Sequence, residues 1–214
     1  MSGPGADPAN QRGGCSPLHF DDMNRRPRPT RRQPLARPPL SPALTLCLGI
    51  LLVNGAVALW LLLLGRSLLP MGVPLQWWSG STFADHNSQH LTDYYSALHV
   101  ISGAGLYFAA RRVCPLWPLH KRLLMVIACS GVWEVVENTP WIIALFNDPG
   151  GPGVYRGDSI VNAFSDTAFV ALGFIVAHHM PRWFIIGAGL MAEIGVAVVI
   201  HDGFVLGTAR IILR

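Results

Sequence analysis

Residues 43–64 carry no charged side chain. About 20 apolar residues suffice for a helix to cross a hydrocarbon core of roughly 30 Å. Inside that core only helices and closed barrels satisfy their own backbone. This run therefore reads as a membrane-spanning helix. Four more stretches follow, approximately 90–110, 123–146, 159–179 and 183–202. The first and the last are clear. The middle three are interrupted by ionisable residues and read as spans by length and context, with the second helix starting near Ser88. The predicted fold class is all-α, a polytopic membrane helix bundle of about five transmembrane helices over residues 42–214. Charged residues make up only 13% of the chain, against about 25% for an ordinary soluble domain.

Residues 1–41 are rich in Pro, Gly and Arg and poor in large apolar residues, so they are predicted to be a disordered cytoplasmic tail. The segment RRPRPTRRQPLARPP suits anionic lipid head groups. It resembles the n-region of a signal peptide. The apolar run after it is too long and is followed by no evident small-residue cleavage site, so an uncleaved span is expected.

The net charge of +4 does not imply nucleic acid, because its distribution follows topology. With five spans, twelve of the sixteen basic residues fall on one side, in the tail and at Arg111, Arg112, Lys121, Arg122 and Arg182. Only Arg66, Arg156, Arg210 and Arg214 fall on the other. The positive-inside rule then places the N-terminus in the cytoplasm and the C-terminus outside, which in an inner-membrane protein is the periplasm. Membrane lipids are the expected partners; the sequence leaves the oligomeric state open. Cys15, Cys47, Cys114 and Cys129 form no CxxC, so neither a disulfide framework nor a zinc knuckle is indicated.

The polar residues gather in the outer half of this topology. Asn87, Gln89, His90 and Asp93 stand at the outer mouth of the second span, and His99 lies inside it. Glu134 lies near the middle of the third span, and Glu137 and Asn138 lie further out along it. Asp158, Asn162 and Asp166 recur every four residues at the start of the fourth, nearly on one helical face. One unpaired charge in hydrocarbon costs about 2.5–3.5 kcal/mol on insertion scales. His99, Glu134, Glu137 and Asp166 are tolerable together only if they line one hydrated pocket. These eleven residues are the candidate ligand-binding set, with Asn87, Gln89, His90 and Asp93 as its mouth. His99, Glu134, Glu137 and Asp166 are also the candidate catalytic groups. A kink at Pro140 should widen the pocket, and Gly103 and Gly105 should let the second helix pack closely.

Plainer roles compete with these. His86 and His90 lack the glutamate of HExxH and read as exposed loop histidines, so no metal and no cofactor is predicted. His99 suits a helix–helix hydrogen bond. Glu134 and Glu137 could bond to backbone or to Arg156. Asp158 could cap the fourth span, and Glu193 could pair with the pocket or with another subunit.

The blocks NSQHLTDYYSALHVISGAGLYF, WEVVENTPWII and GDSIVNAFSDTAFVALGF resemble the signature segments of an uncharacterised family of alphaproteobacterial multi-pass inner-membrane proteins. The likeness covers about half the chain, residues 77–180. It implies location and topology and carries no activity to any residue. Many members have cysteines in the first outer loop, where LLPMGVPLQWW has none. The order of acidic and histidine blocks is also similar, over shorter segments, to the VanZ-like superfamily, a hint toward envelope-lipid biology. The leading functional expectation is a periplasm-facing polar pocket for the head group of a lipid or lipid-linked cell-envelope precursor. A membrane-embedded hydrolase or transferase using a Glu/Asp/His site is the rival. A proton-coupled carrier is the third reading, weakened because the polar groups lie in one half of the membrane and no inverted repeat is visible.

Overall fold

The structure is a computed structural model and describes residues 40–82, 86–147 and 155–213. The expected tail, apart from Leu40 and Ser41, lies outside the described residues. Seven helices and no strand occur among the described residues: α1 (Pro42–Leu63), α2 (Tyr95–Val113), α3 (Leu119–Glu137), α4 (Pro140–Phe146), α5 (Ile160–His179), α6 (Arg182–Ile200) and α7 (Phe204–Ile212). The fold is all-α, as expected.

α1 begins where Ser41 Oγ accepts from the Leu44 amide at 3.2 Å and Pro42 occupies the first turn, a start that uses a side-chain acceptor and a preset φ. Most of α1 and α6 faces outward with large apolar side chains, such as Leu52 and Leu63 on α1 and Met191 and Val198 on α6. Together with α5 they are long and apolar enough to cross a membrane, with mean hydropathies of 2.5, 2.2 and 1.8 for α1, α6 and α5. α2 and α3 fall below that mark because they carry basic residues at one end and ionisable ones toward the other. The structure therefore gives three candidate spans on composition alone, against the five expected.

α5 is the central helix and packs most extensively on α2, then on α3; α1 leans on α3, and α6 on α2. The α2–α5 contact is backbone to backbone. A Cβ placed on Gly103 would meet the Val170 carbonyl oxygen at 1.9 Å, and one on Gly173 the Val100 carbonyl oxygen at 2.0 Å. Small residues permit this approach, which Tyr107, Phe174, Ala104 and Ala177 seal on the far side of the pair. Gly105 takes no part; a Cβ there would meet nothing within 4 Å.

Cross-links collect one end of every long helix. The Ile160 and Val161 amides donate to the Ser67 and Leu68 carbonyls just past α1, at 3.0 and 3.2 Å. Arg66 Nη2 donates to the Asn138 carbonyl at the end of α3, at 3.3 Å. Tyr95 Oη donates to Asp202 past the end of α6, at 3.0 Å. Thus α1, α3 and α6 finish, and α2 and α5 start, on one side of the bundle.

Three boundaries differ from expectation. The second helix starts at Tyr95 and not near Ser88, because Ser88 is left-handed at φ 56° and the chain around it is irregular. The third span does not continue through Pro140 with a kink. It stops at Glu137, and Pro140 opens the separate α4, capped by Thr139; proline suits a first turn better than a helix interior. Last, α7 was not expected as a helix. It is strongly amphipathic, and Glu193 caps it: its two carboxylate oxygens accept from the Phe204 and Val205 amides at 3.2 and 2.9 Å. The bonds of Glu193 go to these amides and to no cavity side chain.

Candidate functional site

The segment 88–91 lies along the first turns of α5, and four successive carbonyls are satisfied there. The Ser159 amide donates to Ser88 O, Ser159 Oγ to Gln89 O, Asn162 Nδ2 to His90 O, and Ser165 Oγ to Leu91 O. Residues 159, 162 and 165 recur at helical spacing, so one face of α5 straps an irregular chain that has no ladder of its own. Gln89 extends the strap by donating to the Gly157 carbonyl at 2.8 Å.

His90 is buried, with 1% of its surface exposed, contrary to the expected exposed loop histidine. Its Nδ1 accepts from the Gln76 amide at 3.2 Å, which leaves the proton on Nε2 to donate to His86 Nδ1 at 2.9 Å. Burial, and then the His86 ring beside it, holds the His90 imidazole below its ordinary range. Both ring nitrogens of His90 are thereby engaged. Asp93 is a helix cap: its Oδ1 accepts from the Ser96 amide at 3.1 Å, while its own amide donates to Ser96 Oγ at 3.0 Å. Burial raises the Asp93 carboxyl from 3.8 to about 6, against the pull of the Ser96 bonds.

A second polar knot joins α3 to the chain before α5. Asn138 Nδ2 donates to Asp158 Oδ2 at 2.5 Å, and the Asp158 amide donates to Asn138 Oδ1 at 2.7 Å. Tyr155 Oη donates to Asp158 Oδ1 at 2.9 Å. Burial raises the Asp158 carboxyl from 3.8 to about 6, opposed by the bonds from Asn138 and Tyr155. Burial, and then the Asp158 charge, drives the Tyr155 hydroxyl well above its ordinary range. Arg66 closes the knot from α1 by donating to the Arg156 and Asn138 carbonyls. Its guanidinium lies against Gly157, where φ is 91° and a Cβ would meet Cζ at 2.5 Å. Ser159, and not Asp158, caps α5.

Behind these knots lies a cavity of about 920 Å³. Asn87, His99, Glu137, Asp158 and Asp166 are among its polar lining, and Leu98, Leu106, Val170, Leu145 and Phe146 among its apolar lining. α7 forms one wall, with Arg210 bonded to Asp202 at 3.2 Å. His99 Nε2 stands 3.7 Å from Asp166 Oδ2, beyond hydrogen-bond length. Donor atoms of His99, Glu134 and Glu137 all lie within 4.8 Å of one another, the only such grouping of three that a metal ion could use among the described residues. Glu134 is fully buried, and neither of its carboxylate oxygens has a hydrogen-bond partner; Asp166 Oδ1 and Ser130 Oγ are likewise unpartnered.

The expected single pocket thus divides into two groups. Asn87, His99, Glu137, Asp158 and Asp166 reach the cavity, and Glu134 lies against it through His99 and Glu137. Gln89, His90, Asp93, Asn138 and Asn162 do not line it, because the backbone of the strap, the α2 cap and the Asp158 knot occupy them. Arg156 meets none of the buried acids among the described residues; its carbonyl serves Arg66. Sequence reasoning missed Ser130, Tyr155, Asp202 and the cavity-facing role of Arg210. The i, i+4 spacing of Ser130 and Glu134 was the available signal for one of them.

Residues 61–213 match the family model described as "Protein of unknown function (DUF2585)". The chain belongs to this family. The DUF2585 match opens at the end of α1 and takes in every cavity residue named above. Among curated proteins, the chain is 33% identical over 168 residues to a UPF0314 protein of Brucella anthropi, covering 77% of this chain and 85% of that one. A UPF0314 protein of Paracoccus denitrificans is 32% identical over 161 residues, 75% of this chain and 83% of the relative. A UPF0314 protein of Sphingopyxis alaskensis is 32% identical over 153 residues, 71% and 81%. These findings place the DUF2585 chain in an uncharacterised alphaproteobacterial family and do not show the VanZ-like similarity. No solved structure matches it.

Proposed function

We propose that this protein crosses the inner membrane five times and receives the polar end of an amphiphile, a lipid or lipid-linked cell-envelope precursor, in a cavity open toward the periplasm. The observation that carries this reading is the mixed lining of the 920 Å³ cavity: titratable groups of α2, α3 and α5 share it with apolar side chains, among them Leu98, Leu106, Val170 and Phe146. Ligand sites are usually apolar cavities with a few convergent polar groups, and this one is shaped for a head group and the start of a chain. The excess of acids over cations on its wall favours head groups that donate hydrogen bonds, hydroxyls or amines, over a bare phosphate. Support for five spans comes from the up-and-down order of the five long helices, and support for the orientation comes from the basic residues at the opposite end, Arg111, Arg112, Lys121, Arg122 and Arg182.

A second reading, a hydrolase or transferase acting on such a substrate, is favoured by one observation: His99 Nε2 and Asp166 Oδ2 stand 3.7 Å apart on the cavity wall that Glu137 shares, and Asp166 Oδ1 has no hydrogen-bond partner. Mass spectrometry of lipid extracted with the purified protein separates the two. One intact amphiphile of defined head group, at one per chain, supports binding; a cleaved or transferred product supports the enzyme. Bulk membrane lipid in its natural proportions contradicts both.

A further inference from the structure

We propose that His99, Glu134 and Glu137 hold a first-row divalent cation at the wall of the cavity. Glu134 and Glu137 are three residues apart on α3 and so share a face, and His99 meets that face from α2. Their donor atoms lie within 4.8 Å of one another. Atoms bound to one ion at about 2.1 Å sit roughly 3–4 Å apart, so closure asks each side chain to shift by about an ångström or less.

The independent observation is the state of Glu134. It is fully buried, yet both carboxylate oxygens lack a hydrogen-bond donor. Buried carboxylates are ordinarily paired, hydrogen-bonded or bound to metal. No arginine or lysine supplies the charge among the described residues: Arg66 is spent on two carbonyls, and Arg210 is on Asp202. Asp166 Oδ1 and Ser130 Oγ, also buried and unpartnered, are further oxygen donors in the same region. An imidazole with two carboxylates suits Zn²⁺, Mn²⁺ or Fe²⁺ better than the all-oxygen ions or the thiol-seeking ones.

This site departs from the sequence expectation of no metal, and it rests on these side chains whatever amphiphile the cavity takes. Its test uses the full-length protein in detergent, stripped with chelator and titrated with Mn²⁺, free ion being read by electron paramagnetic resonance and Zn²⁺ serving as competitor. The wild type should bind one Mn²⁺ that Zn²⁺ displaces, and its unfolding midpoint should rise on binding. Glu134→Gln and His99→Gln should weaken binding at least about 100-fold while melting like the stripped wild type. A His178→Ala/His179→Ala variant, altered at the other end of α5, should keep it. Equal binding by wild type and Glu134→Gln, or no binding and no midpoint shift in the wild type with either ion, overturns the proposal.

Discussion

Asn138 and Asp158 bond each other in both senses: the Asn138 amide group donates to the Asp158 carboxylate and accepts from the Asp158 backbone. Asn138 Nδ2 also donates to the Glu134 carbonyl at 3.1 Å. One side chain therefore finishes α3, fixes the approach to α5 and supplies a donor to a buried acid. The cavity wall inherits its geometry from this pair.

Asn138→Ala leaves the Asp158 carboxylate and amide each short of a partner while buried. Orphaned buried polar groups cost about 1–3 kcal/mol. The unfolding midpoint in detergent should fall accordingly, while Thr92→Ala, which removes only a bond to the carbonyl of the exposed Trp77, should change it much less.

Stability should decline with rising pH through the acid range. The folded-state values of Asp93 and Asp158 are raised from 3.8 to about 6, so the folded protein holds these protons more tightly than the unfolded chain. Their favourable contribution is complete below the unfolded value and is lost as pH rises through about 6, on the order of 3 kcal/mol for each carboxyl. Thermal melts between pH 3.5 and 7.5 should show the decline, and Asp158→Asn should flatten it. A midpoint that rises over this range in wild type would speak against the burial of both acids.

Gly103→Ala and Gly173→Ala should each disrupt the α2–α5 contact, since the new Cβ meets backbone and no side chain can yield. Overpacking a close contact typically costs 1–3 kcal/mol, about the upper end here. Gly105→Ala should be neutral. Fluorescence-detected size exclusion after mild heating ranks the three variants directly.

Asn162→Ala and Ser165→Ala should loosen the strap without unfolding the bundle. Hydrogen exchange at residues 86–93 should quicken, while the middle of α5 keeps its protection. Uniformly faster exchange along α5 would mean that these residues serve the helix and not the strap.

The long apolar runs made α1 and α6 legible, because hydrocarbon admits few other solutions, even with Glu193 inside α6. Pro140 and Ser88 were misread for a local reason: each sits where irregular chain is held by distant residues, and that partner lies about seventy positions away for the strap. The same cause split the candidate site. Gln89, His90 and Asn162 carry the residue types of a ligand site, but types cannot tell a pocket from a loop whose carbonyls need donors. His99, Glu137 and Asp166 all line the cavity, and the signal in the sequence was their cost in lipid, which asks for a shared space. The amphipathic α7 was missed, since its cap, Glu193, lies on the preceding helix.

Filling the cavity tests the account most directly. Ser102 lines it from α2, and Ser102→Trp would place an indole in the space assigned to the amphiphile. Native mass spectrometry of wild type and variant, purified alike, should show a defined bound mass on the first that is absent from the second, with unfolding midpoints close to one another. The same bound mass on both, at equal occupancy, would contradict it.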